Sequence, residues 1–270
     1  MVYLPIVAAA LFYMLRRLEF MVTYHPTPYV PGPEWNPPTN GEDVWVNVAN
    51  GERVHGWFLR SHSQPAIATV LYCHGNGGNL SNVAWVAEIL SKRGFDTLVF
   101  DYRGYGRSEG GLTDEWGLYA DAEAVYNHLV RERGTPPEKL VLYGQSLGTT
   151  AAIDVASRRP CGALVVESGL SSGSDMGEVL FPWMPRRLHF LAKNRFDSSR
   201  KIANAKCPVL VSHGTSDPII PVEQGRKLYQ SARDPKRLLI VEGGDHFLFG
   251  SGGEKFISGM VEFIREATGD

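Results

Sequence analysis

One stretch constrains this chain more than any other. Leu140-Val-Leu-Tyr143 is an apolar run of β character, Gly144-Gln-Ser146-Leu-Gly148 follows it, and Thr149 to Ile153 begin a small-residue helical pattern. Glycines on both sides of a serine, between a strand and a helix, predict a turn tight enough to force the serine backbone to positive φ. Gly144 and Gly148 lack Cβ atoms, so strand and helix can close on one another. The Ser146 hydroxyl then stands above the edge of a sheet. The Leu147 N–H lies at a helix N-terminus, where developing negative charge is favoured. Ser146 is therefore a candidate nucleophile. It is an ordinary turn serine unless the chain also supplies a base, an acid and a second amide donor.

The surrounding pattern is a βα alternation. Apolar strands are predicted at 66–73, 96–100, 139–143, 163–166, 208–212 and 237–241, with helices at 81–93, 114–133, 147–158, 222–231 and 254–267. Such an order means a mostly parallel, doubly wound α/β sheet in one domain, and 270 residues with 43% hydrophobic content suffice for its core. Before it, Val44–Val48 and Val54–Leu59 alternate like antiparallel strands joined at Asn50-Gly51. A net charge of -2 leaves no basic footprint for nucleic acid. No C-x-x-C or H-x-x-x-H spacing occurs, so no metal site is expected. Cys73, Cys161 and Cys207 read as small buried hydrophobes rather than a disulfide framework.

The N-terminus is a separate matter. Val2 to Leu15 is nearly all apolar and ends at Arg16-Arg17. Three readings are open: a signal anchor or interfacial helix within residues 1–23, a helix packed on the domain or in a dimer, and a cleaved signal. Arginines on the C-terminal flank of an anchor would hold the catalytic domain in the cytoplasm. A proline-rich connector over 24–40 leads to a domain spanning 41–270.

The remaining parts fall at strand ends. Asn76, in His74-Gly-Asn-Gly-Gly78 after a strand, offers a backbone N–H beside that of Leu147. The same loop with Asp101 suggests a dinucleotide site, but Leu80 stands where the third glycine belongs. Asp217 follows the strand at 208–212, and His246 follows the last strand. In that order His246 takes the Ser146 proton and Asp217 fixes the imidazole tautomer. Glu167 is the rival acid. His74 and His213 read as loop-shaping.

Together these blocks, with Asp101-Tyr-Arg-Gly-Tyr-Gly-Arg-Ser108, Arg195-Phe-Asp-Ser198 and Pro208-Val-Leu-Val-Ser-His-Gly-Thr-Ser-Asp217, resemble the α/β-hydrolase superfamily. They are most similar to its membrane-anchored serine-hydrolase branch, with depalmitoylase-like and monoglyceride-lipase-like members. The resemblance runs from about Tyr24 onward. It implies the α/β-hydrolase fold, and ester or thioester hydrolysis through an acyl-enzyme without metal or organic cofactor.

An insertion over about 170–202 carries Met176, Leu180, Phe181, Trp183 and Met184. Read functionally, it is a short lid forming an apolar pocket for an acyl chain; read plainly, it packs over the sheet edge. With the N-terminal run as membrane contact, the expected substrate is a lipid-like acyl ester: monoacylglycerol, lysophospholipid or S-acyl protein. Two other readings stay open, a peptidase or amidase of the same fold and a non-catalytic membrane-associated binding protein. Oligomeric state has no signature in the sequence.

Overall fold

The computed structural model describes residues 3–269. Eight strands form one sheet: β1 (Gly41–Asn47), β2 (Arg53–Leu59), β3 (Ala68–Cys73), β4 (Phe95–Phe100), β5 (Leu140–Gln145), β6 (Ala163–Glu167), β7 (Val209–Gly214) and β8 (Lys236–Val241). Their order in space is β8-β7-β6-β5-β3-β4-β2-β1. β2 runs antiparallel to both β1 and β4, and the other pairings are parallel. This is the α/β-hydrolase arrangement, mostly parallel with antiparallel strands at the N-terminal edge.

The helices are α1 (Tyr3–Thr23), α2 (Leu80–Lys92), α3 (Glu115–Asn127), α4 (Gly148–Arg158), α5 (Gly173–Leu180), α6 (Ser198–Ile202), α7 (Val222–Ser231), α8 (Leu248–Ser251) and α9 (Gly253–Thr268). They cover both faces of the sheet, which is why β3 and β5 are continuous apolar runs. The pleat sends Leu140 and Leu142 into the core shared with α3, α4, α6 and α7, and Val141 and Tyr143 into the core shared with α2 and α9. Local signals set the helix starts. The Asn79 side chain caps α2 by accepting the Ser81 N–H, and Asp114 caps α3.

Two boundaries differ from the sequence expectation. The helix expected to reach residue 133 ends at Asn127 and continues as one wide π turn over His128–Glu132. Arg133 N–H reaches back to His128 O at 3.1 Å, and Gly134 at φ 70 turns the chain away. The Asn50-Gly51 hairpin is a longer loop closed by Val48 N–H on Glu52 O at 2.9 Å, with both central residues at positive φ. Helix α1 runs through Arg16-Arg17 to Thr23, within the segment 1–23 expected to be helical. Arg16 pairs with Glu19 at 3.1 Å, and the Glu19 carboxylate accepts the N–H groups of Lys193 (3.0 Å) and Asn194 (2.7 Å). These charges therefore fasten α1 to the end of the insertion. Among the described residues no helix is long and apolar enough to cross a membrane. Residue 2, where the apolar run begins, lies outside the described residues.

After α1 the connector lies on the domain. Tyr24 and Trp35 are buried, and His25–Pro26 pairs in parallel with Gly77–Gly78. The cysteines divide. Cys73 and Cys207 are buried and Cys161 is partly exposed, with its sulfur 3.0 Å from that of Cys207.

Candidate active site

The elbow forms as its residue types require. Ser146 sits at φ 54 between β5 and α4. A Cβ on Gly144 would lie 2.4 Å from Thr149 Cα, and one on Gly148 would lie 2.0 Å from Cys73 O. No larger residue allows the two elements this approach. The Ser146 N–H is tied to Glu167 O at 2.9 Å, so the elbow is held by β6 as well as by its own strand.

Three expected residues converge from three strand ends. His246 Nε2 is 2.8 Å from Ser146 Oγ, and His246 Nδ1 is 2.8 Å from Asp217 Oδ2. The other carboxylate oxygen, Asp217 Oδ1, accepts the N–H groups of Ile219 (2.8 Å) and Ile220 (2.9 Å). Pro218, which has no N–H, is the turn residue that aims those amides back. Burial works against the Asp217 charge. Hydrogen bonds from His213, His246 and the Ile220 amide outweigh it and hold the carboxyl well below the usual range. An Asp217 carboxylate fixes Nδ1 as the donor and leaves Nε2 as the acceptor facing the Ser146 hydroxyl.

The amides expected to face the hydroxyl are free. Among the described residues neither Leu147 N–H nor Asn76 N–H has a protein acceptor. The loop carrying Asn76 abuts the elbow: a Cβ on Gly75 would lie 3.2 Å from Ser146 Cβ. Two unpaired donors on segments that meet at Ser146 are the arrangement that an oxyanion cradle requires.

The rival acid is placed elsewhere. Glu167 is fully buried and its two oxygens accept Leu248 N–H (2.7 Å) and Tyr143 O–H (2.5 Å). Burial raises its carboxyl from 4.5 to about 7, with the Tyr143 and Leu248 bonds opposing the rise. Glu167 thus braces the segment just after His246. Gln145 adds a bond from its amide to His246 O at 3.3 Å. His213 does more than shape a loop. Its Nε2 lies 2.8 Å from Ile220 O and 3.2 Å from Asp217 Oδ2, so it holds the same oxygen of the acid that faces His246. A buried polar residue at a strand end was the available signal for both residues, but the partners of Glu167 are set only in three dimensions.

The lid residues separate. Met176 packs against the core and receives the Gln224 amide at 3.7 Å, while Phe181 and Met184 are half-buried. Leu180 and Trp183 face solvent, with Trp183 75% exposed. The insertion is therefore an open apolar edge here rather than a closed cover. Next to His246, Phe247 meets Trp85 edge-on at 5.3 Å, an aromatic wall with no sequence signal.

Asp101, the acidic residue of the dinucleotide reading, accepts the Leu80 backbone N–H at 2.7 Å at the start of α2. Among the described residues no cluster could hold a metal ion.

Comparison with known proteins bears on the family and the fold. Residues 64–201 match the Hydrolase_4 family, described as serine aminopeptidase, S33. The chain is 32% identical to the protein YfhR of Escherichia coli, over 97% of this chain and 92% of that one. It is 35% identical to the human alpha/beta hydrolase domain-containing protein 17B, over 76% of this chain and 69% of that one. Its fold is similar to that of the Pyrococcus furiosus esterase Pf2001, with a TM-score of 0.73 at 21% identity, covering 90% of this chain and 99% of that one. The nucleophile elbow lies within the matched family segment, and the chain belongs to the α/β-hydrolase family.

Proposed function

We propose that this protein is a serine hydrolase that cleaves acyl esters or thioesters of lipid-like substrates at a membrane surface. The observation that carries the reaction is the hydrogen-bonded line Ser146–His246–Asp217 beside the free amides of Leu147 and Asn76. His246 Nε2 takes the hydroxyl proton as Ser146 Oγ attacks the carbonyl carbon. The oxyanion rests on the two amides. The imidazolium, stabilised by Asp217, returns the proton to the departing alkoxide or thiolate, leaving an acyl-serine. Water activated by His246 then releases the acid. No metal or organic cofactor takes part in these steps.

The membrane part rests on α1 and the insertion. Helix α1 turns Val7, Phe12, Tyr13, Met14, Leu18 and Met21 to solvent next to Arg16 and Arg17, a composition suited to the boundary of headgroups and acyl chains. Exposed Val179, Leu180 and Trp183 extend the apolar surface on the insertion that Glu19 ties to α1. In this reading the protein sits on a bilayer from the cytoplasmic side, as in the depalmitoylase-like and monoglyceride-lipase-like branch. Monoacylglycerol, lysophospholipid and S-acyl protein are the substrate classes.

The family description favours one competing reading, an aminopeptidase. It requires a carboxylate for the substrate's free amine. Of two candidate carboxylates, Glu167 is buried and bonded, and Glu178, on the insertion, pairs with Arg186 at 2.6 Å. Esters are therefore favoured over aminoacyl amides. The test is a series of p-nitrophenyl esters from short to long acyl chains, with and without vesicles, beside aminoacyl amides. A rising long-chain preference enhanced by vesicles supports the reading. A short-chain optimum indifferent to vesicles refutes the lipid part, faster amide turnover refutes the esterase part, and a Ser146 that resists a fluorophosphonate refutes catalysis.

A further inference from the structure

We infer that the segment following α1 and the side chain of Tyr105 are positioning parts of the oxyanion site, so that the seating of the N-terminal helix sets the rate of acyl transfer. The inference rests on the hydrolase reading, in which the Asn76 N–H receives the oxyanion.

The loop after β3 is held through its carbonyls. Tyr102 O–H donates to His74 O (3.2 Å), and His74 Nδ1–H donates to Gly75 O (2.8 Å). Asn76 O accepts two donors, the Tyr105 hydroxyl at 2.9 Å and the His25 N–H at 2.9 Å. Thr27 N–H donates to Gly78 O at 3.0 Å, and Asn79 reaches Thr27 O at 3.4 Å. The carbonyls are thus taken while the Asn76 N–H is left open toward the elbow. Gly77 and Gly78 stiffen the loop little by themselves, and Gly78 stands at φ 79. The Asn76 N–H lies in the peptide plane of Gly75 O, which His74 holds, and the adjoining plane of Asn76 O is fixed from outside the loop, by Tyr105 on one side and the N-terminal segment on the other, so both planes that meet at Asn76 are set.

That segment is the direct continuation of α1. Tyr24 N–H closes the last turn on Phe20 O at 3.0 Å, the rings of Phe20 and Tyr24 lie 5.0 Å apart, and His25 begins the pairing with Gly77. Farther back, Glu19 fastens the helix to Lys193 and Asn194. Displacing α1 pulls on His25, and releasing His25 frees one of the two donors on Asn76 O. A geometric error of this kind at a transition-state donor lowers turnover more than substrate binding.

The experiment uses the full chain with three substitutions. Tyr105→Phe removes one donor and keeps the ring's volume. His25→Pro removes the other, at a position whose neighbour is already Pro26. Glu19→Ala unfastens α1. Full loss of an oxyanion donor typically lowers kcat about 100-fold or more, so loosening one is expected to lower kcat about tenfold. KM for a soluble ester should stay within about twofold. Hydrogen exchange over 75–79 should quicken in all three variants, including Glu19→Ala, whose substitution lies far from the loop in sequence. If Tyr105→Phe and His25→Pro both keep wild-type kcat, or if Glu19→Ala leaves exchange over 75–79 unchanged, the inference is overturned. Fluorophosphonate labelling of wild-type Ser146 is run in parallel. Labelled wild type with unaffected variants removes only the positioning role, whereas unlabelled wild type removes the hydrolase reading beneath it.

Discussion

Replacing Glu167 by glutamine tests the electrostatics of the buried site without removing a reacting group. Glutamine keeps an acceptor for Leu248 N–H and presents its amide to the Tyr143 oxygen. The glutamate carboxyl is raised from 4.5 to about 7 by burial. In the unfolded chain it ionises above 4.5, while in the fold it keeps its proton until about 7. Between those values the unfolded state binds fewer protons, so stability falls as pH rises and levels off above about 7. Each tenfold separation is worth 1.36 kcal/mol, so this one group should remove about 2.5 kcal/mol of stability between about pH 5 and pH 8. Glu167→Gln has no such ionisation. Asp121, raised to about 6 by burial, contributes in the same sense in both proteins and cancels in the difference. Urea denaturation of both proteins at the two pH values gives the comparison. The variant should gain about 2.5 kcal/mol relative to wild type on going to the higher pH. A difference between the two proteins that is the same at both pH values would show that Glu167 is already ionised in the fold, and the argument from burial would be wrong.

Other outcomes follow from the same geometry. Asp217→Asn should lower kcat about 10,000-fold with little change in KM for a soluble ester, because the amide no longer selects the productive tautomer of His246; steady-state kinetics decides it. Ser146→Gly and Ser146→Ala should both lose turnover, but the glycine variant should be about 1 kcal/mol more stable, since only alanine retains the strained φ of 54. Equal urea midpoints would mean that the elbow stores no strain. Gly148→Ala should destabilise the fold by about 3 kcal/mol, because its Cβ falls 2.0 Å from Cys73 O and the neighbour is backbone rather than a movable side chain; a thermal scan within a degree of wild type would contradict this.

How far the sequence could be read depended on how local each interaction is. The strands were legible because a sheet covered on both faces demands unbroken apolar runs, as in Leu140–Tyr143. The elbow was legible because two missing Cβ atoms and a small-residue helix occupy neighbouring positions. The order of Ser146, Asp217 and His246 along the chain could be read because each follows a strand. The bond from Glu167 to Leu248 could not, since it joins chain segments whose approach no spacing encodes, and the one from His213 to Asp217, four residues on, depends on the turn between them. The fastening of α1 was hidden for a related reason. Arg16, Arg17 and Glu19 read only as an interruption of an apolar run, and the tertiary contact to Asn194 that makes the glutamate a fastening has no local mark. The exposure of Leu180 and Trp183 was likewise beyond reach, because an apolar residue in an insertion carries no mark of which way it faces.

The division of labour within the Asp217 carboxylate has a mechanical consequence. One oxygen is committed to the Ile219 and Ile220 amides and the other to two imidazoles. Rotation about the last side-chain bond would break every one of these contacts at once, so the two oxygens do not exchange places. The acid is thus a fixed bearing. In the proposed reaction the His246 imidazole carries the proton from the serine to the leaving group against this fixed acid.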